Sequence, residues 1–415
     1  MKRTGKKQHN KSTLLFLLFI FSILLFSSPL QAQIEPGEKT QRKKDSVNRQ
    51  ISLGFFYGYG YVFPSDKFVE GDNEQHKIIN RYQSFSARLL FQNAGKGEKA
   101  WYGTYDYPYL GVGICVSDFF DYKEMGIPIA IYGFINGPFH RWNKLAFNYE
   151  IDLGLMGNWH HFNPENNPYN IAIGAIRTVY IDLGVGLSYR FLPRWEAELD
   201  MGVAHFSNGS IKVPNWGLNT LSPRVEVRYH ISKRQPFKKY KIIPFKKTTS
   251  LDFTIFGGVK NVVHLDSAEV NIQPDYQGVY FPIAGFRTTF NWHITHKSKF
   301  GLGMAMTYDG STDAQIVVEN NNMFLKNLPF SYGVRISIFP SYELVMGPFS
   351  LLFQPGFYLY RKKAPDQVPE FYQRIGFKYT LAHRVTFGVS LRAYRFQVSE
   401  FIEWSVGYQL NRTHQ

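Results

Sequence analysis

Residues His205 to Thr220, HFSNGSIKVPNWGLNT, gather the side chains of this chain that could do chemistry together. A serine hydroxyl can attack an acyl carbonyl when a neighbouring histidine takes its proton and a third group holds the imidazole in the right tautomer. His205 and Ser207 stand two apart, so on an extended backbone they share a face and can touch. Asn208-Gly209, Pro214-Asn215 and Gly217 are turn chemistry that would bring Asn219 back towards the pair as the orienting amide. The oxyanion of the reaction needs preorganised donors. The backbone after Ser207, at Gly209, and the side chains of Asn208 and Asn215 are the candidates. A bare His-x-Ser pair also arises by chance, so the elements that carry the stretch decide its meaning.

Those elements read as strands. From Ile51 the chain runs in segments of roughly ten residues with the period of two that marks strands. Ile181, Leu183, Val185, Leu187 and Tyr189 alternate with Asp182, Gly184, Gly186, Ser188 and Arg190. Val385, Phe387, Val389 and Leu391 alternate with Thr386, Gly388, Ser390 and Arg392. One face is oil and the other is glycine, serine and charge. A soluble sandwich alternates too, but three features favour a transmembrane barrel. Asp182, Glu198, Asp200, Glu226, Asp252 and Arg392 sit mid-strand on the polar face, which suits a wet lumen. Aromatic residues, 17% of the chain, crowd the strand ends as interfacial girdles do. Connections alternate between tight ones, at 193–194, 295–298 and 382–384, and long ones, at 64–81, 158–179, 206–220, 263–278 and 310–327.

The fold class expected is therefore an all-β, transmembrane antiparallel β-barrel of about 14–16 strands. Sixteen candidate strands lie between residues 51 and 410, among them 195–206, 221–231 and 329–339. Seven Lys or Arg in 232–250 interrupt the pattern, and a break there would make two eight-stranded barrels. A single barrel is the preferred expectation, because the segment falls where a periplasmic turn is due and one closure removes every sheet edge.

Parity then assigns the organising stretch a side. In 195–206 the residues Trp195, Ala197, Leu199, Met201 and Val203 face lipid, and continuing the alternation puts His205 and Ser207 with them. On the return strand Leu221, Pro223, Val225 and Val227 share that side, and Asn219 has the same parity. Glu226, the nearest acid, points inward. Polar groups facing lipid at the outer end of a strand are expensive unless they serve a purpose, and an ester in the outer leaflet is the natural substrate.

The remainder of the chain is expected to be bland. Of 415 residues, 44% are apolar, and the formal charge of +15 includes Lys2, Arg3, Lys6, Lys7 and Lys11 ahead of the apolar run Leu14–Leu25. That run and Ala32 read as a secretory signal peptide over 1–32, followed by a polar segment over 33–49 and the barrel over 50–411. Cys115, the only cysteine, reads as an inert strand position. His160-His161, beside Asn163 and Glu165, lack companions at metal-ligand spacing, so no metal is expected. The lysine-rich segment reads as a solvated turn, no nucleic-acid partner is expected, and nothing sets an oligomeric state.

His205-Phe206-Ser207-Asn208-Gly209, followed by Pro214-Asn215-Trp216-Gly217-Leu218-Asn219, resembles the active-site signature of the lipid A 3-O-deacylase (acyloxyacyl hydrolase-like) family. The resemblance implies an outer-membrane barrel that removes an ester-linked acyl chain from lipid A of lipopolysaccharide without a cofactor. By position His205 would be the base and Ser207 the nucleophile, with Asn208 and Asn215 supporting the oxyanion. Motif likeness covers about sixteen residues, and the deacylase-like barrel pattern spans 50–232, leaving 249–411 as additional strands. The family's third member is typically a glutamate where this chain has Asn219, and its barrel has eight strands. Asn219 is similar instead to the Ser-His-Asn triad of outer-membrane phospholipase A, which also carries H-x-S-N-G, acts on phospholipid and uses calcium at a dimer interface. With no acidic calcium ligands evident near Ser207, the deacylase is the preferred reading. A non-catalytic channel or scaffold that kept the turn geometry is the reading from another class.

Overall fold

In a computed structural model of the chain, the described residues are 49–93, 101–231, 244–262, 264–265, 270–271, 279–320, 328–362, 369–381, 384–394 and 398–413. The expected signal peptide and nearly all of the polar lead-in lie outside them, as does 232–243 of the lysine-rich segment.

The first ring is β1 (Arg49–Val62), β2 (Arg81–Asn93), β3 (Tyr109–Asp118), β4 (Gly126–Arg141), β5 (Leu145–Trp159), β6 (Thr178–Leu192), β7 (Trp195–Ser207) and β8 (Leu218–His230). Each strand pairs antiparallel with the next, and β8 returns to β1 through a register running from Ser52 opposite His230 to Val62 opposite Thr220. The second ring is β9 (Thr248–Lys260), β10 (Phe281–His293), β11 (Ser298–Asp309), β12 (Val334–Met346), β13 (Phe349–Tyr360), β14 (Phe371–Thr380), β15 (Val385–Tyr394) and β16 (Val398–Thr413). It closes where β16 meets β9, from Trp404 opposite Gly257 to Thr413 opposite Thr248.

Sixteen barrel strands are thus present as counted, but they close as two barrels of eight, not as the single barrel preferred above. Edge removal could not choose between the two arrangements, because two closures leave no open edge either. One strand is displaced from its expected place. Phe330–Tyr332 forms a 3-10 turn, and β12 runs on to Met346 through Pro340, which pairs opposite Leu302.

Closing at eight strands also changes the interior. Eight strands enclose an interior narrow enough for side chains to fill. The charges read as lining a wet lumen are instead buried and paired. Arg88 grips Glu150 through two nitrogens at 2.8 Å each, and Arg224 Nη1 meets Asp182 at 2.6 Å while its Nε reaches Asp200. Arg228 gathers Glu196, Glu198 and Glu226. In the second barrel Glu403 accepts from Arg287 at 2.7 Å and Arg374 at 2.8 Å, and Asp309 holds Lys260 and Arg335. Cys115 is a buried residue of β3 beside Ser117.

The outer walls are apolar, with Leu183, Leu199 and Ile255 all more than half exposed to the surroundings. Two-residue turns at 193–194 and 347–348 mark one end of the barrels. The long connections 63–80, 160–177 and 208–217 mark the other, which is the outer end by the rule for such barrels.

Candidate active site

His205 and Ser207 occupy the last turns of β7 at that outer end, on the lipid-facing side. Between them Phe206 points the other way. It is fully buried in an aromatic plug, with ring centroids 5.7 Å from Tyr180, 5.7 Å from Trp159, 5.9 Å from Phe119 and 6.2 Å from Tyr82. Because alternate residues of a strand point to opposite faces, anchoring Phe206 inside fixes where its two neighbours stand outside.

β8 supplies the third member. His205 lies opposite Asn219 in the β7–β8 register, and His205 Nδ1 is 2.7 Å from Asn219 Oδ1. A carbonyl oxygen can only accept, so Nδ1 carries the hydrogen and Nε2 keeps its lone pair. Glu226, the inward acid, stays within the luminal network with Arg228. The start of β8 is itself held by Phe63, whose N–H donates to the Asn219 carbonyl at 2.9 Å.

The 208–217 connection folds back over the serine. Asn215 Nδ2 donates to Ser207 Oγ at 2.8 Å and the Gly209 N–H donates to the same oxygen at 3.1 Å. Asn215 Oδ1 in turn accepts from the Asn208 N–H at 3.1 Å. The Asn208 side chain is turned away from the serine, donating to the Lys212 carbonyl at 2.6 Å. Of the expected oxyanion donors, then, Asn215 and the Gly209 N–H converge on Ser207, and the Asn208 amide closes the loop. Two donors fill the acceptor sites of the hydroxyl and leave its own hydrogen to be given away. Among the described residues no hydrogen bond joins Ser207 to His205.

Gly217, Pro214 and the 160–177 connection complete the arrangement. Gly217 has φ +74°, a left-handed conformation that favours glycine, and a Cβ there would stand 3.0 Å from the Phe206 carbonyl oxygen and 3.2 Å from His205 Cε1, so the loop lies close against the histidine. The Val213–Pro214 peptide is cis. Trp216 and Gly217 donate their N–H groups to the carbonyls of Ile171 and Ala172. Along the sequence Gly217 read only as a turn residue, and nothing in its type signalled contact with the histidine.

One residue pair further down the wall, Val203 faces Leu221 and then Met201 faces Pro223. Met201, Leu221 and Pro223, with Tyr59, Tyr61 and Arg81 from β1 and β2, line a shallow lipid-facing groove of about 460 Å³.

Two matches span most of the chain. Residues 83–228 match the family described as Lipid A 3-O-deacylase (PagL), and residues 249–412 match the Acyloxyacyl hydrolase, C-terminal domain. The chain belongs to the lipid A 3-O-deacylase family. The family places this member in the outer membrane as an ester-hydrolase barrel, and its second barrel, which the signature at 205–219 does not reach, carries the C-terminal domain match. No curated protein matches it. Among solved structures it is similar to Neisserial surface protein A at 9% identity and TM-score 0.28, covering 43% of this chain and 96% of that one. Designed transmembrane β-barrels match at 13% identity and TM-score 0.21, over 43% of this chain and 95% of that one. Acinetobacter baumannii OccAB1 matches at 12% identity and TM-score 0.22, over 91% and 100%. The strand pairing itself defines the two barrels.

His160 Nδ1 lies 3.0 Å from the Lys123 carbonyl, and no group of three or more His, Cys, Asp or Glu among the described residues is placed to hold a metal ion.

Proposed function

We propose that this protein removes an ester-linked acyl chain from lipid A in the outer leaflet by a serine-histidine mechanism. The observation that carries the reading is the geometry on the lipid-facing wall: an imidazole oriented by Asn219 stands beside a serine whose oxygen already sits among hydrogen-bond donors. Ser207 Oγ attacks the acyl carbonyl carbon as its proton passes to His205 Nε2. The carbonyl oxygen, now negative, accepts from the Gly209 N–H and Asn215 Nδ2, which turn from the serine to the oxyanion. Collapse breaks the bond to the sugar oxygen, which leaves with the proton from His205. Water, deprotonated by His205, then attacks the acyl carbon, the bond to Ser207 Oγ breaks as that oxygen takes the proton back from His205, and the fatty acid is released. These steps draw on protein groups alone. The groove of Met201, Leu221, Pro223, Tyr59 and Tyr61 gives the acyl chain a bed one residue pair below the reacting atoms, and Arg81 stands at its rim for an anionic headgroup.

Mass spectrometry of lipid A and phospholipids from cells expressing wild type or Ser207→Ala tests the proposal. Loss of one acyl chain from lipid A in the wild type alone is expected. Calcium-dependent accumulation of lysophospholipid with unchanged lipid A would replace it by a phospholipase, and no change in either lipid would end the enzyme reading for these substrates.

A further inference from the structure

The catalytic turn does not rest on the first barrel alone. Gly209 and Ser210 follow the serine with φ of +62° and +63°, two left-handed residues in succession, of which the second is not glycine. An L-residue with a side chain resists that conformation unless its surroundings impose it. Part of that hold is local, since the Ile211 N–H closes the turn onto the Asn208 carbonyl at 3.4 Å, and the rest comes from the second barrel. Ser210 Oγ donates to the Ser399 carbonyl at 2.7 Å and lies 2.8 Å from Ser399 Oγ, at the start of β16. The Ser210 carbonyl accepts from the N–H of Asn261, the residue after β9, at 3.3 Å. Ile402 of β16 packs on Gly209 so closely that a Cβ there would collide with it, and although Ile402 pairs with the outward residue Leu391, it is buried.

We propose that the second barrel is a working part of the active site, with Ser399, Asn261 and Ile402 as positioning residues that hold Gly209 and Ser210 so that the Gly209 N–H points at the reacting oxygen. This rests on the serine mechanism proposed above. An N–H that must meet a developing oxyanion acts only if its peptide plane is set beforehand, and the left-handed pair sets it. The contacts come from β16 and from the residue that follows β9, which is where the second ring closes, so the closing seam of that barrel lies against the turn.

The test uses the full-length chain refolded in detergent, with heat-modifiable gel migration as the check of folding and deacylation of lipid A in mixed micelles as the readout. Ser210→Ala and Ile402→Ala are expected to lower kcat about tenfold or more while KM stays within about twofold, because small misplacements of catalytic groups act on the chemical step. Ile402→Leu, which keeps the volume, is expected to restore most of the rate. Ser207→Ala runs beside them. If Ser207→Ala is inactive and folded Ser210→Ala and Ile402→Ala keep wild-type kcat, the positioning role is wrong and the serine mechanism stands. If Ser207→Ala stays active, the serine mechanism fails and takes this inference with it. Should Ile402→Ala not fold, Ser210→Ala decides alone, since it removes one hydroxyl outside the barrel walls.

Discussion

If Asn219 stands where the resemblance puts an acid, the His205–Asn219 contact gives that difference a size. In Asn219→Ala the imidazole loses the 2.7 Å acceptor that fixes its tautomer. A hydrogen bond of this kind contributes about 0.5–1.5 kcal/mol net, and a half-buried donor left without its partner costs about 1–3 kcal/mol. At about 1.36 kcal/mol per tenfold in rate, a loss of about 1 to 3 kcal/mol lowers kcat by about 5- to 150-fold. KM should hold, since Asn219 faces the imidazole and not the groove. Asn219→Asp separates orientation from charge. A carboxylate about 4 Å from the imidazolium centre attracts it by about 4 kcal/mol at an effective dielectric constant of about 20. Moving that carboxylate out of water costs several kcal/mol, so the net change should stay within about tenfold of wild type, towards faster. Initial rates of fatty-acid release from lipid A micelles, at saturating and sub-saturating substrate, give kcat and KM for each variant. Wild-type kcat in folded Asn219→Ala would refute the argument that the amide orients the base.

Three further outcomes follow from the same geometry. Asn215→Ala removes a side-chain donor from Ser207 and should lower kcat by about 10²–10³ with substrate binding retained, checked by the same rate assay. Phe206→Ala empties the centre of the aromatic plug and should destabilise the first barrel by about 3–5 kcal/mol, seen as a lower urea midpoint for unfolding from detergent, with kcat falling as His205 and Ser207 lose their anchor. With both lumens filled by ion pairs, the wild type should carry no steady current in planar bilayers, and regular unitary conductance steps would contradict the packed interior.

Much of this protein was legible along the chain because a membrane wall imposes a period of two over every strand. The alternation from Trp195 to Ser207 was enough to put His205 and Ser207 on the lipid side, and the same parity selected Asn219 over Glu226. Those are local facts, set by backbone geometry within a few residues. Which strand closes on which is not local. Pairing β8 with β1 joins residues nearly 180 apart, and no pattern within either strand distinguishes that partner from the next strand along. Ring size then decided the interior, turning residues that suited a wet lumen into a buried ionic core, because eight strands bring three arginines and their carboxylates within contact of one another. The site divides in the same way. His, Ser and Asn could be named from their spacing, whereas the closeness of Gly217 to His205 and the turn of the Asn208 amide towards Lys212 exist only once the loop is folded, and the hold of Ser399 and Ile402 on Gly209-Ser210 only once the second barrel has closed.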